Sequence, residues 1–238
     1  MAISGSNLTT AVDDTDGVAF TTASITPTAN NLVLAAVASV GPTNTTPAAP
    51  TLAGNTLTWV EVNSIVYQTA GGNRRRITVF RAMGALPTTG TVVISFGAVT
   101  QRTCAWSIVE FSGTDTSGTN GSGAIVQSAL STADASATTG TATLAAFADA
   151  ANGTFGAFSH RVAEVTTPGS GFTELAEAIG GTEALSIQTE WRVDNDTVVD
   201  ATWASNAHYG VVAIEIKVAA AGGIIPVLMR QYRERRAC

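Results

Sequence analysis

Histidine is the scarcest chemistry in this chain: His160 and His208 are the only two in 238 residues. A hydrolytic triad needs a nucleophile beside a histidine that a carboxylate orients, and neither Ser107 nor Ser122 sits in a Gly-x-Ser-x-Gly elbow. Both histidines fall on or beside expected strands, which points to structural or surface roles and to a protein that is no enzyme. Cysteine is equally sparse, with Cys104 inside an apolar strand pattern and Cys238 at the last position, so neither a disulfide between them nor a Cys-x-x-Cys zinc site is expected. Lys217 is the only lysine beside eleven arginines, charged residues make up 13% of the chain, and the net charge is -6. That balance argues against general nucleic-acid binding by the body. No apolar run approaches the ~20 residues of a membrane span, and Met1-Ala2-Ile3-Ser4 opens without a basic region or an apolar run of the secretory kind. A soluble protein with no nucleic-acid or membrane partner is the expectation.

The little charge there is falls unevenly. Residues 1–120 carry five arginines against six acids, residues 121–222 three basic groups against eleven acids, and residues 223–238 four arginines against Glu234. The three stretches therefore sum to -1, -8 and +3. A basic end behind an acidic body implies an acidic partner, in the chain itself or in a neighbouring subunit.

What the chain has in abundance is threonine, alanine, glycine and a period of two. Segments such as Thr56-Leu57-Thr58-Trp59-Val60-Glu61-Val62 and Ser186-Ile187-Gln188-Thr189-Glu190-Trp191-Arg192-Val193 alternate between two faces and read as half-buried strands. Turn chemistry separates them, as in Gly41-Pro42-Thr43-Asn44, Pro168-Gly169-Ser170-Gly171 and Asp194-Asn195-Asp196. Strands are expected near 18–26, 31–40, 56–68, 75–83, 91–97 and 102–112, then near 123–130, 138–147, 153–163, 172–179, 183–193, 197–204 and 208–218. Before residue 223 no helical stripe is legible.

The order of patterns also repeats. Asn31-Leu32-Val33-Leu34-Ala35-Ala36-Val37, Leu57-Thr58-Trp59-Val60-Glu61, Ile77-Thr78-Val79-Phe80-Arg81-Ala82, Thr91-Val92-Val93-Ile94-Ser95-Phe96 and Cys104-Ala105-Trp106-Ser107-Ile108-Val109-Glu110-Phe111 form one series. Gly153 to Phe158, Phe172 to Leu175, Leu185 to Arg192, Val198 to Trp203 and Tyr209 to Ile216 form the second. A repeat of roughly 100 residues is too long for a solenoid or a propeller blade and points to duplicated sandwiches. The all-β expectation is thus two tandem antiparallel, jelly-roll-like sandwiches at 1–116 and 117–220, a linker within Thr114 to Gly123, and a basic amphipathic helical tail at 221–238.

With those residues in view, the series Asn31 to Val37, the Pro loop, Leu57-Thr58-Trp59-Val60, Thr78-Val79-Phe80-Arg81-Ala82 and Ala105 to Gly113 resembles the Thr/Ala/Gly-rich β-sandwich structural proteins of tailed bacteriophages and related prophage regions. Tyr209-Gly210-Val211-Val212-Ala213-Ile214-Glu215-Ile216-Lys217 is similar to the matching element in the second half. The resemblance covers residues 18–218 as pattern and implies a virion-associated role, with no catalytic residues attached.

Candidate interaction residues follow from the residues themselves. In the tail, Pro226 suits a first helical turn, and Ile225, Leu228, Met229 and Tyr232 then share a face flanked by Arg230 and Arg233. Such a stripe suits docking into another subunit. Arg74, Arg75 and Arg76 open a strand with Arg74 and Arg76 on one face and Arg75 on the other, and a salt-bridged contact to an acidic neighbour competes with simple solvation there. Trp59, Trp106, Trp191 and Trp203 lie in apolar alternations, which favours the core over sugar stacking. Asp13, Asp14 and Asp16, like Asp194, Asn195 and Asp196, lack the spacing of a calcium loop, and no cofactor is expected. The sequence therefore points to a capsid decoration, head-fibre or tail protein of a phage particle, partnered by its own copies, other virion proteins and a host-surface glycan. A carbohydrate-binding adhesin module is the alternative.

Overall fold

In the computed structural model, residues 2–68 and 72–220 are described. Among them the chain is all-β, with no α-helix. The first half contributes β1 (Ser4–Asp13), β2 (Ala19–Thr21), β3 (Leu32–Thr43), β4 (Thr51–Gly54), β5 (Val60–Tyr67), β6 (Asn73–Ala82), β7 (Val92–Ser95) and β8 (Thr103–Ser112). The second contributes β9 (Ile125–Thr143), β10 (Gly153–His160), β11 (Thr167–Pro168), β12 (Thr173–Gly180), β13 (Leu185–Arg192) and β14 (Val198–Ile216). The expected helical tail lies outside the described residues.

Every named strand pairing is antiparallel. The long strands of the first half pair in the order β1-β8-β3-β6-β5, and those of the second in the order β9-β14-β10-β13-β12. Numbered by chain position within each half, both orders read first, fifth, second, fourth, third. The short pairings repeat as well. In the first half they form β2-β7-β4, and in the second the far end of β9, the start of β14 and β11 pair in the same relation. Where the first half breaks its chain between β1 and β2 and between β7 and β8, the second runs straight through in two 19-residue strands.

Three cores result. Phe20, Val92, Ile94 and Leu52 of the small sheet close over Val33, Val37, Phe80, Trp106 and Ile108 of the first large sheet. Ala142, Val199 and Ala201 close over Phe158, Val211 and Ala213 in the second half. The largest cluster lies between the two large sheets and draws on both halves, from Leu34, Tyr67, Ile77 and Phe111 to Phe155, Ile187, Val212 and Ile214. The chain therefore does not divide into two self-contained cores. β3 explains its unbroken apolar run in these terms: Leu32, Leu34 and Ala36 face the shared core while Val33, Ala35 and Val37 face the outer one, so both faces are dry.

Across the seam β1 lies against β12, and β5 against β9. Since β1 and β9 come first, and β5 and β12 third, in the chain order of the long strands of their halves, the contact is reciprocal, as in a two-fold dimer interface. Phe111 anchors it edge-on to Phe155 at 6.0 Å and to Trp191 at 5.8 Å. Tyr67 and Ser159 share a hydrogen bond of 2.6 Å, and Ser107 and Thr189 one of 2.8 Å. Close approach requires glycine here: a Cβ on Gly210 would stand 2.8 Å from Tyr67 Cδ1.

Two expected breaks are corrected. The strands expected at 123–130 and 138–147 are one strand, β9, and those at 197–204 and 208–218 are one strand, β14. Their mutual pairing carries them through register shifts near Thr202, Ala207 and Tyr209, bulges that turn a strand from one layer to the next. β1 went unread because Ser4 to Asp13 is polar and half-exposed, an edge strand held by β8 alone.

Candidate interaction surface

The basic strand opening is drawn into the body. Alternation along β6 turns Arg75 inward, where it is 2% exposed. Its guanidinium donates to the Gln68 side chain, to Asn73 O at 2.7 Å and to Glu183 O at 2.5 Å. On the other face Arg74 donates to Thr46 Oγ1 at 2.9 Å, while Arg76 donates to Pro47 O at 3.2 Å and Ser64 Oγ at 2.8 Å. Burial lowers the pKa of both Arg75 and Arg76.

The acidic group of this cluster is Glu183, in the tight β12–β13 turn of the second half. It accepts from Arg102 at 2.9 Å and from Asn73 Nδ2 at 2.6 Å. Burial pushes its carboxyl up, but Arg102 and Asn73 outweigh that and hold it below the ordinary range. Asp14 makes a parallel tie, accepting from Thr103 Oγ1 at 3.3 Å and from Gly181 N at 3.0 Å. Sequence reasoning missed Glu183; its signal was a lone acid in the Gly-Gly-Thr-Glu turn between two strands.

At the other end of the strands, three points of the chain converge. Ala219 N donates to Gly113 O at 2.8 Å, Thr114 bridges to Val218, and Asp115 pairs with Lys217 at 2.6 Å. The Lys217 ammonium and the Ser117 donors hold the Asp115 carboxyl down to about 2. Ala2 is packed so closely on Gly113 that a Cβ there would stand 2.3 Å from its carbonyl. Beneath, buried Glu215 accepts from Asn152 and from Gln127, each at 2.6 Å, and Asn152 in turn accepts from Val218 N at 3.0 Å. A cavity of ≈ 520 Å³ opens here, lined by Ala2, Ala151, Val193, Lys217 and Val218 among others. The expected anchor residues Ile225, Leu228, Met229, Arg230, Tyr232 and Arg233 follow from this end and lie outside the described residues.

The other candidates resolve locally. His160 is buried, stacked on Trp203 with ring centroids 4.6 Å apart, and hydrogen-bonded through Nε2 to Thr166 Oγ1 at 2.9 Å. Burial lowers its pKa to about 4, so the ring is neutral near pH 7. Asp194 and Asp196 both bind Arg192, and Asp13 accepts from Thr15 N at 2.9 Å. Among the described residues no group of three or more His, Cys, Asp or Glu is arranged to hold a metal. Trp106 and Trp203 are buried, and Trp59 and Trp191 pack against the cores. Cys104 is buried, which pushes its thiol up. In comparisons with known proteins, the chain matches no protein family, no curated protein and no solved structure.

Proposed function

We propose that this chain is a structural protein of a bacteriophage virion, a capsid decoration, head-fibre or tail component that acts by subunit contacts and without catalysis. We read its halves as two copies of one jelly-roll-like sandwich plan, a reading supported by the strand order common to both and by the use of jelly rolls in capsid proteins. The observation that carries the functional reading is the convergence of Ala2, Gly113 to Asp115 and Val218 to Ala219 at one end of the strands. In sequence the basic segment Ile224 to Arg236 follows Ala219 and Ala220 of that end, and among the described residues the opposite end carries loops at residues 44–50, 96–102 and 161–166. One end then attaches and the other is displayed, with copies of the chain and other virion proteins as partners and a host-surface glycan as the possible target of the loops. Symmetric repetition multiplies weak attachments into a stable one.

The test is deletion of residues 221–238, which follow the last strand. The truncated chain should unfold at the temperature of the full chain and fail to join particles. Normal incorporation refutes the anchor; a collapse of stability makes the tail part of the fold.

A further inference from the structure

The shared strand order lets each position of one half be read against its counterpart in the other. In the first half Ala35 pairs with Phe80 and with Ile108; in the second Gly156 pairs with Glu190 and with Ala213. Glu190 therefore stands where the first half buries Phe80, between its large sheet and its outer layer. It is fully buried, as Phe80 nearly is. Its carboxylate is poorly served: Gln188 Nε2 donates to Oε2 at a long 3.3 Å, and Oε1 has no partner.

Among the described residues, nothing packed around it supplies positive charge. From β12 come Glu174 and, further off, Glu177; from β14 comes Asp200. From β10 comes Gly156, whose Cβ position lies 3.2 Å from Glu190 Cγ, and β14 also supplies the outer-core Val199, which fills the space above Gly156. The nearest cation on its own strand face, Arg192, is committed to Asp194 and Asp196. Only the Gly169 backbone N–H adds a donor from the outer layer.

We propose that Glu190 is a proton-controlled latch between the two layers of the second half. Protonated, it packs as a neutral side chain in Phe80's place; ionised, it loosens the layer formed by the end of β9, the start of β14 and β11 from the sheet beneath. Burial, with Asp200 and Glu174 adding like charge, pushes its carboxyl up to about 8. A raised folded pKa means that the folded chain holds the proton more tightly than the unfolded one. The stability this supplies is complete below the ordinary carboxylate range and is lost as pH rises through about 8.

The experiment compares the full chain with Glu190→Gln and Glu190→Phe by denaturant unfolding between about pH 6.5 and 9.5. Relative to Glu190→Gln, the folding constant of the native chain should fall roughly thirtyfold over that range, a tenfold step for each pH unit up to 8. Titrations of His160 and Tyr67 are common to both chains and cancel. Hydrogen exchange should show amides of 139–143 and 198–202 losing protection before those of β6. A difference between the chains that does not change with pH overturns the latch, as does equal loss of protection in β6. Stabilisation by millimolar calcium at pH 9 that Glu190→Gln lacks also overturns it, by making the site a cation's. If Glu190→Gln fails to fold, Glu190→Phe serves as the pH-insensitive reference.

Discussion

Phe111→Ala tests whether the two halves unfold as one body. Phe111 is fully buried and meets Phe155 and Trp191 of the other half edge-on. Truncating a buried phenylalanine costs about 3–5 kcal/mol through lost transfer energy and the cavity left behind. The upper part of that range applies here because the walls are backbone-fixed: the position of a Cβ on Gly5 lies 2.6 Å from the Phe111 ring, and strand pairing holds β1 and β12 in register on either side. Each edge-to-face pair is worth about 0.5–1.5 kcal/mol beyond buried area, and both partners lost are in the second half. The expected result is a loss of about 4 kcal/mol in a single transition, followed by urea unfolding. Trp106 and Trp203, each kept as the only indole, report the two halves. Their midpoints should coincide in the native chain and shift together by more than about 1 M, given slopes near 3 kcal/mol/M. Separate midpoints, with only the Trp106 signal moved, refute a shared core.

Glu183→Ala removes the acceptor of Asn73 Nδ2 and should cost about 1 kcal/mol by leaving that partly buried amide without it, the exposed ion pair with Arg102 adding little; the urea midpoint measures it, and no change means that solvent replaces these bonds freely. His160 titrates at about 4 when folded against 6.5 ordinarily, so the unfolded chain binds the extra proton and stability is lost as pH falls from 6.5 through 4. His160→Phe should flatten that acid limb, worth as much as ~3 kcal/mol, and thermal unfolding at pH 4 and 7 decides it.

The strand-rich architecture was legible because alternation and turn residues are local signals. Leu57 to Val62 and Ser186 to Val193 announce strands whatever they pack against, and Gly, Asn and Pro mark where the chain must turn. The repeated series also pointed to a repeated order of strands. Strand ends were less legible: nothing local says that Ser131 to Thr139 continues a strand, because a bulge is stabilised by the partner strand it turns against. The basic triplet Arg74 to Arg76 was visible as charge, yet the Glu183 backbone carbonyl that Arg75 donates to is 108 positions away, brought in only by the folding of one half on the other.

By itself the sequence determined the strand class and the repeated order of strand patterns, since each depends on composition or on neighbours within a few residues. Only the tertiary structure decided that the two large sheets share one core, that Gly210 and Gly5 are there for close approach, and that Ala2, Gly113 to Asp115 and Lys217 to Ala219 meet at one pole. It alone set Glu190 in the place of a phenylalanine. Along the strand Glu190 occupies the same alternating face as Gln188 and Arg192, which reads as a solvent face. Burial is a property of what covers that face, and the covering layer comes from residues that follow and precede it in β14 and β9.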